Sequence, residues 1–261
     1  MLKVRVIPTL LWKNVGLVKG IGFNSWRRVG SVVPTVKVYN SRDVDELILV
    51  DILASLDGEE IDVQSVSDIS EECFVPLTVG GGINSLDQIV SLLHSGADKI
   101  SINSECYANP DIVDLASKRF GAQCVVASID VRANSFGKHI CFSHAGSVDT
   151  GKEVTEHAKE LAARGCGEIL LTSIDKDGSM AGYDLHLIEK VANAVDVPVI
   201  ASGGAGSYQH MIDAVKKSGA AAVAAASIFH FTEMTPLGAK EAMHTAGIPV
   251  RQKFRISNLI N

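Results

Sequence analysis

No C-x-x-C pair, no membrane-length apolar run and no excess of positive charge occurs in this sequence, and each absence removes a class of function. The five cysteines (Cys73, Cys106, Cys124, Cys141 and Cys166) are scattered and odd in number. That pattern fits reduced core thiols in a cytosolic protein better than disulfides or a zinc site. The formal net charge of −6 argues against nucleic acid as the main partner, because phosphate backbones call for clustered Lys and Arg. No stretch reaches the ~20 apolar residues of a membrane helix, and the opening MLKVRVIPTL lacks a signal peptide's apolar run and small-residue cleavage site. The expectation is a cytoplasmic chain without a membrane partner. The histidines keep no ligand spacing, His230 reads as a packed helix residue, and no metal site is expected. DKDGSMAG opens like a calcium loop at Asp175, Asp177 and Gly178 but lacks the regular spacing and the closing Glu. GGGINS is no dinucleotide fingerprint, since it follows a third strand and no acidic residue is placed for a ribose. No cofactor is expected.

What is present is hydrophobic pattern. The chain has 261 residues, 46% of them hydrophobic, and a mean hydropathy of +0.20, enough for a sizeable core. Short β-branched runs (VRVIPTL, ELILVDI, VPLTVGG, DKISIN, CVVASID, EILLTSI, VPVIASGG, AAVAAAS) alternate with amphipathic stretches such as SLDQIVSLLHSG, NPDIVDLASKRFG and GKEVTEHAKELAARG. Continuous apolar strands joined by helices imply parallel strands covered on both faces. Eight such units in about 250 residues have the size of a (β/α)8 barrel, an α/β fold, with a doubly wound open sheet as the alternative.

The barrel explains a repeat that the open sheet does not. VPLTVGGGINSLDQIVSLLHSGADKISINS and VPVIASGGAGSYQHMIDAVKKSGAAAVAAAS are two versions of one unit. Gly81 and Gly82 match Gly203 and Gly204, Ser104 matches Ser227, and Glu46 pairs with Glu168. Two half-barrels of four units follow, in one domain spanning 1–261. VRANSFGKHICFSHAG reads as a hairpin inserted at the barrel mouth, and WKNVGLVKG as a loop.

Each half runs from a strand into glycines and then a helix, and its next strand ends in small polar residues: Asn103 and Ser104 in one half, Ala226 and Ser227 in the other. Glycines admit an oxyanion to the backbone, and the first free amides of a helix favour negative charge. One such element could serve only a tight turn. Two matching cradles half a barrel apart point to a ligand with a phosphate at each end, the second cradle lying where barrels commonly bind phosphate.

TVGGGI, ADKISIN, GEILLTSIDKDGSMAGYD, IASGGAG and AAASIFHF resemble the cyclase subunit of imidazole glycerol phosphate synthase over nearly the whole chain. The resemblance implies a barrel bound to a glutaminase in a heterodimer. The glutaminase releases ammonia, which passes through the barrel and closes an imidazole ring on a bisphosphorylated substrate. It implies ligand-binding positions at Gly81, Gly82, Asn103, Ser104, Thr172, Asp177, Gly178, Ser202, Gly203, Gly204, Ala226 and Ser227. It also implies a salt-bridged ring for ammonia entry at Arg5, Glu46, Lys99 and Glu168, with Asp98 facing the glutaminase. Physics supports the ring, because two cations and two anions pointing into a barrel must pair.

The sequence departs from that family at the catalytic pair. The family works with two aspartates, one ending strand one and one ending strand five, acting as general acid and base on opposite sides of the substrate. Asp130 is present. Leu11 stands in the other place, and Trp12 and Val15 replace polar residues beside it. Lys19, a substrate-loop position in the family, remains. Asp51, Asp175 and Asp177 also end strands near the mouth and are candidate substitutes; Lys13 or Lys19 would be poor ones if solvated, with a pKa near ~10. The expectation is a paralogue that keeps the ammonia-conducting barrel and amidates an N-acetyl sugar of a surface polysaccharide with a separate sugar amidotransferase. The alternatives are an authentic cyclase of histidine biosynthesis and a non-catalytic scaffold that activates the glutaminase.

Overall fold

Alternation of β-branched runs with amphipathic ones, with two added meanders, produces twelve strands among the described residues. They are β1 (Arg5–Lys13), β2 (Gly16–Ile21), β3 (Asn24–Gly30), β4 (Leu47–Asp51), β5 (Leu77–Gly80), β6 (Lys99–Ile102), β7 (Val125–Ala133), β8 (His139–Ser143), β9 (Val148–Glu153), β10 (Glu168–Ser173), β11 (Val199–Ser202) and β12 (Ala222–Ala225). The computed structural model describes residues 2–13 and 16–252; Val15 lies outside them. Parallel pairing runs β1–β4–β5–β6–β7–β10–β11–β12 and closes from β12 back to β1. A closed ring of eight parallel strands is a (β/α)8 barrel, and closure excludes the open sheet. No helix among the described residues is long and apolar enough to cross a membrane.

Strand periodicity of two sorts side chains between the barrel interior and the surrounding helices. Outward residues such as Val6, Leu10, Leu47 and Leu49 join the large core beneath the helices. Inward residues form a separate cluster of Ile7, Ile48, Val126, Leu170, Ile200, Ala222 and Ala224. The same alternation puts Arg5, Glu46, Lys99 and Glu168 below that apolar layer, at the N-terminal end, and Leu11, Asn103, Asp130 and Thr172 above it.

Two expectations about the mouth need correction. Neither Leu11 nor Asp130 ends its strand, because β1 and β7 both run on into antiparallel partners. Leu11 pairs with Val18 of β2, and Asp130 with Phe142 of β8. Within the supposed loop, residues 12–13 and 16–20 are strand, parts of β1 and β2 in a meander β1–β2–β3, and the supposed hairpin is a three-stranded one, β7–β8–β9. Glu153, read as part of a helix, ends β9 and caps the helix Val154–Ala163 by accepting from the Thr155 and Glu156 N–H groups. Each half-barrel thus carries a meander after its first strand, an equivalence the sequence hides.

Candidate functional site

At the N-terminal end the four charged residues form one ion-paired ring. Arg5 bonds Glu46 at 2.6 Å and Glu168 at 2.6 Å, and Lys99 bonds Glu46 at 2.9 Å and Glu168 at 3.1 Å. Thr78 donates to Glu46 at 2.9 Å, a partner that sequence reasoning missed. Burial opposes the charge on Arg5, but the bonds to Glu168 and Glu46 overturn it and raise the guanidinium pKa. Glu46 is only 2% exposed, so the ring closes the axis rather than decorating the rim. Asp98 lies beside it, exposed at the N-terminal end, and its carboxylate accepts from the Leu77 N–H at 2.8 Å.

At the other end every ligand-binding position named from the sequence, together with Leu11, Lys19, Asp51 and Asp130 but not Asp175 or Lys13, lines one pocket of about 150 Å³. Its polar wall is built from neighbouring strands. Thr172 of β10 is in register with Asp130 of β7, and Asn103, just beyond β6, donates to Asp130 at 2.9 Å. Burial and the nearby Asp177 carboxylate push the Asp130 carboxyl up to about 7, against a smaller opposite pull from the Thr172 hydroxyl. A group poised near neutral pH can both take and give a proton. Thr9 Oγ1, Asn103 Oδ1 and Ser227 Oγ are buried without protein partners. Orphaned polar atoms cost about 1–3 kcal/mol each when buried, so three around one cavity mark a surface built to meet a polar ligand.

The opposite wall is apolar. Leu11 of β1 is in register with Val50 of β4, and Ile52 and Phe23 extend the same surface. None of the candidate substitutes restores a free carboxylate there. Asp51 lines the pocket but accepts from the Leu53 and Ala54 N–H groups at 2.9 and 3.1 Å. Asp175 points away, with its side chain 54% exposed and 4.0 Å from Arg132. Asp177 is in the pocket but on the Asp130 side, ion-paired to Lys19 at 2.6 Å. Lys19 is not solvated as its sequence context suggested; it is 2% exposed, carried inward on β2.

The glycines are required by close backbone approach as well as by any ligand. Gly81 has φ +118° and Gly203 φ +87°. A Cβ on either would strike the carbonyl oxygen at the end of the preceding barrel strand, Asp51 or Ser173. The helices that follow, Leu86–His94 and Tyr208–Ser218, start only after Ser85 and Ser207, which cap them. Their N-termini are therefore occupied by serine, and any anion at these cradles would meet loop amides rather than the free helix end that the sequence suggested. The Ser104 hydroxyl also has a local partner, accepting from the His144 N–H at 3.0 Å. Phe23 and Ala145, both with positive φ, reach the pocket from the β2–β3 and β8–β9 turns. Neither was found from sequence, though GIGFNS and SHAG carry the turn residues that could have flagged them.

A family model described as a histidine biosynthesis protein matches residues 5–235. Imidazole glycerol phosphate synthase subunit HisF from Caulobacter vibrioides (strain NA1000 / CB15N) is 46% identical over 252 residues, covering 96% of this chain and 97% of the relative. The subunit of the same name from Hyphomonas neptunium (strain ATCC 15444) is 47% identical over 251 residues, covering 96% and 99%.

Proposed function

The chain belongs to the histidine biosynthesis protein family, with HisF subunits as relatives, and on that premise we propose that it is an ammonia-receiving barrel whose own ring-closing chemistry is disabled at position 11. The observation that carries this reading is the apolar wall. Leu11 and Val50 stand side by side where a second proton-transfer group would be needed. Losing one member of an acid–base pair costs about 10²–10⁴-fold. What remains is a proton-transfer set on one side only: Asp130, Asp177 and Lys19.

In this reading a cytoplasmic glutaminase docks on the N-terminal face around Asp98 and releases ammonia through the Arg5–Glu46–Lys99–Glu168 ring. The barrel is one domain over 1–261, and the glycine loops at Gly81–Gly82 and Gly203–Gly204 hold the two phosphates of a bisphosphorylated ligand. The ammonia is passed on to convert an N-acetyl group of a sugar into an acetamidino group, with a separate amidotransferase. The test is direct. The unmodified protein, given free ammonia at alkaline pH and the substrate of imidazole glycerol phosphate synthase, should turn it over far more slowly than a HisF subunit with both aspartates. Equal turnover would sink the reading.

A second reading, an authentic cyclase, is favoured by one observation. Asp177 lies close enough to raise the pKa of Asp130 and could supply the second carboxylate once Lys19 is drawn to the substrate. Asp177→Asn separates the two: it would abolish robust cyclisation in the second reading, whereas in the first there is no robust cyclisation for it to abolish.

A further inference from the structure

The two seams where one half-barrel meets the other carry matching aromatic pairs. Counting from the equivalent Ser104 and Ser227, Tyr107 and His230 hold the same place in the short helices Glu105–Ala108 and Ser227–Phe231. Each packs on the first long helix of the other half. Tyr107 stacks on His157 of the helix Val154–Ala163, with centroids 4.2 Å apart and planes at 22°. His230 meets Tyr39 of the helix Val32–Ser41 edge-on at 6.5 Å. The tight pair lies at the Asp130 seam and the loose one at the Leu11 seam.

The tight pair carries buried polar atoms left without partners. The Tyr107 hydroxyl and both His157 nitrogens are buried without a well-formed hydrogen bond. His157 is 1% exposed, its nearest carboxylate is Glu160 at 3.7 Å, and burial, aided by Lys152, holds its pKa down at about 4. Orphaned groups of this kind call for an explanation. Their position supplies one. Tyr107 follows Asn103 and Ser104 closely along the chain, and its hydroxyl is enclosed against the Cys141 thiol. Cys141 is in register with Val131, the neighbour of Asp130. The ring therefore reaches from the helix that follows Asn103 and Ser104 onto the outward face of the hairpin that carries Asp130, while the hydrogen bond from Asn103 to Asp130 spans the same two segments on the pocket side.

We propose that Tyr107 and His157 are positioning residues: their stacked rings clamp the Asn103–Ser104 segment against the β7–β8 hairpin and so keep Asp130 bonded to Asn103 and shielded from water. This rests on the reading of Asp130 as the proton-transfer group of the mouth. The groups facing Asp130 in the pocket are Asn103, Thr172 and Asp177 with its partner Lys19; Tyr107 and Cys141 lie behind it, on the outward side of the hairpin, where Cys141 pairs with Val131.

The experiment is a carboxyl ¹³C titration of Asp130 in the full chain, without ligand, for the unmodified protein and for Tyr107→Phe, Tyr107→Leu, His157→Leu and, at the other seam, Tyr39→Leu. A loosened clamp admits water and should lower the apparent pKa of Asp130 by about one pH unit or more in Tyr107→Leu and His157→Leu. Tyr107→Phe keeps the stack and should leave the titration where it was, as should Tyr39→Leu. If Tyr107→Leu does not fold, His157→Leu reports alone. An unmoved Asp130 in a folded leucine variant would overturn the proposal, and so would an equal shift in Tyr107→Phe or Tyr39→Leu. The titration needs no turnover, so a shift accompanied by unchanged ammonia-dependent chemistry would keep the clamp and refute the catalytic reading of Asp130.

Discussion

The two walls of the mouth are built on the same backbone plan and present opposite chemistry to the pocket, one polar and one apolar. Around β7, Asp130 has Thr172 in register beside it and Asn103 bonded to it. Around β1, the equivalent places hold Leu11, Val50 and Ala226. Both walls belong to strands that continue into antiparallel meanders, and both adjoin a glycine loop forced into positive φ. The fold therefore fixes where a side chain enters the pocket, and the residue type alone decides whether that wall can move a proton. Function on this barrel lies in the site and not in the architecture.

Removing the active wall should have the largest effect. Asp130→Asn should lower any ammonia-dependent turnover by about 10²–10⁴-fold, while Leu11→Val should leave it within a few-fold; steady-state assays of both variants decide. The same substitution has a thermodynamic signature. The native state holds a proton on Asp130 up to about pH 7, whereas an unfolded Asp releases it near 3.8. Its contribution to stability is therefore full below the unfolded value and is lost as pH rises through about 7, by up to about 4 kcal/mol. Urea denaturation across pH 4–8 should show that slope in the unmodified protein and a flatter one in Asp130→Asn.

The ring lies on the barrel axis at the opposite end from both walls, so breaking it should not discriminate between them. Glu46→Ala leaves Arg5 and Lys99 with Glu168 alone, and loss of one partner from a buried pair costs about 3–5 kcal/mol. Chemical denaturation measures that loss. In a complex reconstituted with a glutaminase, the same variant should uncouple glutamine hydrolysis from ammonia delivery. A neutral result in both experiments would mean that the ring contributes neither to stability nor to coupling.

Gly204→Asp sharpens the comparison of the two halves at the cradles. It sets a negative charge and a Cβ against the Gly182 carbonyl, and should abolish inorganic phosphate binding there while leaving the Gly81–Gly82 loop occupied. Phosphate titration followed by NMR would distinguish the two sites, and unchanged binding at both would mean that these glycines serve turns alone. The smallest effect is expected from Thr172→Val. The Thr172 hydroxyl pulls the Asp130 carboxyl downward, so its loss should raise the Asp130 titration by less than about one pH unit. The equivalent change on the other wall, Val50→Thr, should not move it.

How much of this was legible in sequence follows from which signals are periodic. The eight barrel strands were, because both of their faces are buried and they read as continuous apolar runs. β3 and β9 were not: NSWRRVG and VDTGKE are largely exposed and show no alternation, so their pairing is set by the meander and not by burial. The paired glycines stood out through the internal repeat, which supplied a second copy for comparison, and Asp130 stood out through the family resemblance. The inward turn of Lys19 was hidden because it depends on β2 folding back over the mouth to Asp177, a residue far along the chain. The mates of Asp130 were hidden for the same reason, since Asn103 and Thr172 meet it only when the barrel closes.

The central claim is that position 11 alone silences the β1 wall, and one substitution tests it. Leu11→Asp, assayed with free ammonia and the substrate of imidazole glycerol phosphate synthase, should raise ring closure over the unmodified protein by about 10²-fold or more. An unmodified protein that already cyclises robustly, with Leu11→Asp giving no increase, would contradict the account and move the second carboxylate to Asp177.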